Sequence, residues 1–205
     1  MVEGDALAGD VPVVNPWLPQ SDRQGDTNGK PRRPVQRTSS ELSGPEAPQG
    51  AGVPRPEQGL PLARPRLNDS RWWWLGVHGG AGVSTLEQAV PGGSDAERAW
   101  PVASGKQPVV LVARSTAHGL GAAQIAAQQW ASRMVTGIDL LGLVVVADAP
   151  GRRPRVLRDR VRLVSGAVPR LWEVPWVESW RLGEPHLPKE CVSLARDLIR
   201  LTQPT

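Results

Sequence analysis

A chain of 205 residues with 24 basic and 20 acidic side chains has room for one domain and a tail, and its net charge of +4 does not by itself mark a nucleic-acid binder. A single cysteine, Cys191, excludes an intramolecular disulfide and fits a reducing compartment. The longest apolar run, 140–147, falls far short of the roughly 20 residues a membrane helix needs.

The N-terminus, Met-Val-Glu-Gly-Asp, has neither the basic start nor the apolar core of a signal peptide, so a soluble cytoplasmic protein without membrane insertion is expected. Phe and Tyr are absent, Lys is scarce and there are 9 Trp. Trp and Arg have GC-rich codons, so part of the arginine content reflects coding bias.

Residues 1–70 are rich in Pro, Gly, Ser, Gln and Asp with few clustered apolar residues, and read as a disordered tail unable to offset its chain entropy. Within it, residues 11–19 (Val-Pro-Val-Val-Asn-Pro-Trp-Leu-Pro) form an apolar island: either a chance patch or a short extended docking motif. Residues 71–205 read as one α/β domain. Strands are expected at 72–77, 109–114, 139–147 and 170–174, because each is a continuous apolar run of the kind buried on both faces of a parallel sheet. Helices are expected at 83–90, 119–135, 154–165 and 189–201; Leu120, Ala123, Ala127, Trp130 and Met134 recur at three- and four-residue steps. This alternation predicts a small three-layer domain with a mostly parallel sheet.

The segment between the first strand and first helix carries the chemistry. Gly76-Val77-His78-Gly79-Gly80-Ala81-Gly82-Val83-Ser84-Thr85 has the strand, glycine turn and helix start of a phosphate-binding loop, in which backbone N–H groups and the helix dipole face an anion. The working motif is G-x-x-x-x-G-K-[S/T]. Here Ser84 supplies the hydroxyl that binds Mg²⁺, but Val83 occupies the lysine position.

The run His78–Thr85 resembles the loop K-G-G-x-G-K-[S/T]-T of the ParA/MinD family of P-loop ATPases. His78 falls on that family's signature lysine, Val83 on the general one and Val77 on the first glycine of the general motif, while Gly79, Gly80, Gly82 and Thr85 match. The runs 109–116, 140–147 and 171–175 resemble later strands of that fold. Only about 20 residues separate Leu86 from Val109, so the strands that carry the family's catalytic Asp and switch loops are expected to be missing. The resemblance implies a shortened, degenerate bacterial relative with a P-loop NTPase-like fold. Its nucleotide-binding residues would be His78, Gly79, Gly80, Ala81, Gly82, Val83, Ser84 and Thr85. By analogy it would act in DNA segregation, plasmid maintenance or transfer.

Three functions follow as expectations. The first is a non-catalytic pseudo-ATPase working as an interaction or regulatory module with a protein partner, because both phosphate-contacting lysines are replaced. The second is a switch binding ATP or GTP, with Ser84 and Asp148 holding Mg²⁺ and Arg114 or Arg152 replacing the lysine. The third is a DNA-binding module using Arg152, Arg153, Arg155, Arg158 and Arg162. The ParA/MinD resemblance instead places Asp148 near that family's base-recognition position, and each residue also has a plainer role: His78 as a structural loop histidine, Asp148 as part of an Asp-Ala-Pro-Gly turn, and the arginines as a solvated face. The tryptophans are expected in the core, with Trp172, Trp176 and Trp180 alternatively rimming a pocket or partner surface. The dispersed histidines and lone Cys191 show no metal-ligand spacing, and Cys191 is expected to be packed.

Overall fold

The computed structural model describes residues 42–66, 69–184 and 187–203. The expected disorder of residues 1–41 and the apolar island at 11–19 lie outside the described residues.

The domain is a three-layer α/β structure. Its central sheet has the order β3-β2-β5-β6-β7, all parallel, formed by β2 (Trp72–Gly76), β3 (Gly93–Asp95), β5 (Gln107–Arg114), β6 (Ile138–Val146) and β7 (Leu171–Val174). Counting only these strands in chain order, the arrangement is 2-1-3-4-5, a doubly wound order whose ligand crevice lies where the winding reverses. Here that point is the crevice between β2 and β5.

The strands form where expected because their apolar runs have both faces covered. One core holds Leu75, Leu111 and Leu143 under α2 (Ala117–Ala131) and α3 (Arg155–Ser165). The other holds Trp72, Trp74 and Val144 under α1 (Val83–Ala89) and α5 (Val192–Leu201). Thr116 starts α2 by accepting the Gly119 N–H at 3.0 Å, a side-chain N-cap. Leu141 bulges out of the β5–β6 register between Leu140↔Val109 and Gly142↔Val110. Cys191 is buried in the α5-side core, as expected. Of the grouped tryptophans, Trp72, Trp73, Trp74 and Trp172 are core, while Trp176 and Trp180 are half-buried around the short α4 (Glu178–Arg181).

Two expectations need correction. First, the four expected strands omit an edge of the central sheet: β3 fits three residues beside β2 in the segment between α1 and β5, and β4 (Trp100–Pro101) follows. Second, the compositional boundary at residue 70 is not the structural one. Residues 42–66 run as a strap across the α2 side. Ser43 N–H bonds Pro169 O at 2.8 Å, Gly50 N–H bonds Ala131 O at 2.8 Å, and β1 (Leu62–Ala63) pairs with β4. The strap is polar by composition, but Val53 and Leu60 pack on the core. They cover a face on which the crossover from β3 to β5 brings no helix of its own. Among the described residues no helix is long and apolar enough to cross a membrane.

Candidate functional site: a glycine-loop cavity at the sheet crossover

At the C-terminal ends of β2, β3 and β5 lies a cavity of about 330 Å³ whose lining includes the glycine loop, Ser84, Thr85, Asp95, Arg98 and Arg114. It sits at the point where the sheet's winding reverses, the usual ligand position in doubly wound domains. The loop turns on Gly80 (φ 73°) and Gly82 (φ 102°), left-handed conformations that glycine adopts without steric penalty. Gly82 O then accepts the Leu86 N–H at 3.0 Å to open α1. Gly79 and Gly80 form a turn, and among the described residues the N–H groups of Gly79, Gly80 and Gly82 donate to no backbone acceptor within 3.5 Å. Val83, at the lysine position, is 8 % exposed and belongs to the core with Ala81 and Leu86.

His78 is 8 % exposed, and both of its ring nitrogens are engaged. Nδ1 lies 2.8 Å from Gly79 O, and Nε2 lies 3.0 Å from the backbone N of Arg114. A carbonyl only accepts and a backbone N–H only donates, so the proton is on Nδ1 and the lone pair on Nε2. His78 is therefore a neutral strut between the loop and β5, with no ring nitrogen left for a phosphate. Its ring also meets His118 of α2 edge-on, with centroids 5.6 Å apart.

The cations come from elsewhere. Arg114 leaves the end of β5 and lies across the loop, donating from Nε to Gly80 O at 3.3 Å and from Nη1 to Ala147 O at 2.9 Å. Its Nη2 lies 3.7 Å from where a Cβ on Gly82 would stand. Arg98 is exposed on the opposite wall, with Nη1 4.0 Å from the corresponding position at Gly79. Among the described residues neither guanidinium has an acidic partner. Asp95 is the one carboxylate in the lining, and its Oδ1 accepts the Glu97 N–H at 2.8 Å.

The other expected site residues are not gathered here. Ser84 lines the cavity; Asp148 does not. The Asp148 carboxylate accepts the Ser115 hydroxyl in a short hydrogen bond, and the Asp148 N–H donates back to that Oγ at 3.2 Å. Ser115 is buried, so this pair ties β5 to the end of β6. Among the described residues no group of three or more His, Cys, Asp or Glu is placed to hold a metal.

Arg152 is exposed, and Arg153 is bound to Glu173 at 2.7 Å. On α3, Arg155 and Arg162 both reach Asp159, at 3.8 and 3.6 Å, while Arg158 is exposed with no acidic partner among the described residues. The cationic face is thus partly neutralised within its own helix. Asp95 and Arg98 escaped sequence reasoning because their place depends on β3 lying beside β2. Of the two arginines expected to stand in for the lysine, Arg114 lines the cavity and Arg152 does not, a choice that follows from strand order.

A family model described as a family of unknown function, DUF6668, matches residues 70–195, and the chain belongs to that family. No curated protein and no solved structure matches the chain.

Proposed function

We propose that this member of the family uses its glycine-loop cavity as a phosphate receptor without catalytic activity, a pseudo-ATPase type of regulatory module. In this reading Arg114 takes over the charge that Val83 does not carry. The observation that carries it is the Arg114 guanidinium: half-buried, held by two carbonyl oxygens, and facing the loop with no counter-ion among the described residues. Partly buried cations are ordinarily paired, and an anion in the cavity would complete this one. Gly80, Ala81 and Gly82 border the same cavity, and backbone N–H groups of a turn of this kind can bind an anion.

The non-catalytic half of the reading is supported by the carboxylates. Phosphoryl transfer relies on a metal-holding acid and a residue that orients the nucleophile. Asp148 spends its carboxylate on Ser115, and Asp95 accepts a backbone N–H. The setting that the ParA/MinD resemblance implies, DNA segregation or plasmid maintenance with a protein partner, rests on analogy alone.

The test is calorimetric titration of the full chain with inorganic phosphate, ATP and GTP, each with and without Mg²⁺, alongside a hydrolysis assay. Binding tighter than about 100 μM to a phosphate-bearing ligand, without turnover, is expected. No heat up to millimolar concentration of all three would end the receptor reading; turnover lost in Ser84→Ala would replace it with a nucleotide enzyme.

A further inference from the structure

The second guanidinium of the cavity is carried by a turn that runs against backbone preference. Ala99 N–H closes on Ala96 O at 3.1 Å, and between them Glu97 (φ 53°) and Arg98 (φ 60°) are both left-handed. Glycine, asparagine and aspartate are the usual residues for such a turn. Side chains in this conformation persist where their surroundings over-determine them.

Two anchors do so here. Ala96 N–H donates to Trp74 O at 2.9 Å, which fixes one end of the turn to the central sheet. Trp100 fixes the other: it is fully buried, with its backbone N–H on Pro61 O at 2.8 Å and its indole Nε1–H on Gln129 Oε1 at 3.1 Å. The same Gln129 oxygen accepts the Leu60 N–H at 2.8 Å, and Gln129 Nε2 donates to Leu60 O at 3.0 Å. Gln129 is 4 % exposed. One buried amide therefore ties the strap, helix α2 and the foot of the Arg98 turn together.

We propose that Gln129 is a positioning residue of the glycine-loop cavity. By clamping Leu60 and Trp100 it holds Arg98 over the loop, so that anion binding and strap docking are thermodynamically linked. This rests on the reading of the cavity as a phosphate receptor. The linkage is reciprocal: a strap that holds Arg98 in place favours the anion, and the bound anion favours the docked strap.

The clamp can be released from either side in the full-length protein. Gln129→Leu removes all three hydrogen bonds. Gly59→Ala leaves the amide intact, but its new Cβ would stand 2.1 Å from Gln129 Cδ, so the strap or the amide must move. With inorganic phosphate as probe, each variant is expected to weaken binding by the same factor as Arg98→Ala, about 3- to 10-fold. Neither should weaken it further on an Arg98→Ala background. No loss, or an equal loss on that background, overturns the proposal, since a merely structural effect would add.

Amide hydrogen exchange without ligand separates this inference from the receptor reading. Ala99 and Trp100 should exchange faster in Gly59→Ala while β2 and β6 keep their protection; unchanged exchange at Ala99 and Trp100 overturns the clamp. Failure of the wild type to bind phosphate, with exchange altered as expected, sinks the receptor reading alone. If neither variant folds, the wild type decides: bound phosphate must slow exchange at Leu60 and Trp100, and no slowing overturns the linkage.

Discussion

Arg114 and His78 hold each other: the Arg114 backbone N–H donates to His78 Nε2 at 3.0 Å, and the same histidine bonds Gly79 O through Nδ1 at 2.8 Å. One imidazole thereby joins the end of β5 to the glycine loop. The position the family resemblance assigns to a phosphate-binding lysine is filled by a residue that shapes the loop.

The tautomer is directly testable. Nitrogen NMR of His78 at neutral pH should report the Nδ1–H form; an Nε2–H form would contradict the hydrogen-bond assignment. His78→Ala leaves the Arg114 N–H without its acceptor, a loss of about 1–3 kcal/mol for a buried donor. A fall in Tm of roughly 3–10 °C is expected for a domain of this size.

Arg114→Gln keeps a polar side chain at the end of β5 but removes the charge. Loss of a charge-assisted contact of about 1.5–3 kcal/mol predicts a roughly 10- to 150-fold weaker affinity for phosphate-bearing ligands. Calorimetry on the variant measures it. Undiminished affinity with unchanged circular dichroism would show that the loop binds its anion without this guanidinium.

Glu97 and Arg98 allow stability and binding to be separated. Left-handed side chains carry strain of order 1 kcal/mol each, which glycine relieves. Glu97→Gly and Arg98→Gly should each raise Tm slightly, by up to about 2–4 °C. Only Arg98→Gly should also weaken phosphate binding. Equal affinity in both variants would remove Arg98 from the site.

Much of the domain was legible because the strands at 72–77, 109–114 and 139–147 are largely continuous apolar runs, short and bounded by turn residues, as buried parallel strands are, while 170–174 is a shorter run broken by Glu173. The three-residue β3 carries no such run; Gly93-Ser94-Asp95 becomes a strand because β2 offers it an edge. The strap was misjudged for a related reason. Its composition is that of a disordered chain, and it is held by a few contacts at Ser43, Gly50 and Leu60 to partners distant in sequence rather than by a continuous apolar face. Helix α2 carried a faint trace of it: Ala122, Ala123, Ala126 and Ala127 make it small and apolar on more than one side, and buried Gln129 is the polar exception turned to the strap. The glycine loop was visible as a motif, and Arg114 could be named as a stand-in for its lysine, but nothing in the sequence separated Arg114 from Arg152 or pointed to Arg98, because both arginines of the cavity reach it through strand order.

Asp148 offers the sharpest division between a receptor and a Mg²⁺-dependent switch. Its carboxylate is the acceptor for the buried Ser115 hydroxyl, so its removal should be felt in the fold. Asp148→Ala strands that hydroxyl and is expected to lower stability by about 1–2 kcal/mol, read as a shift in the urea midpoint. Asp148→Asn retains an acceptor oxygen and should lose less. Neither change should alter phosphate affinity, or its response to Mg²⁺, by more than about two-fold, because Asp148 does not line the cavity. If instead Mg²⁺ tightens nucleotide binding in the wild type, and Asp148→Asn abolishes that effect at unchanged stability, the carboxylate must leave Ser115 to meet the metal, and the domain is a nucleotide switch.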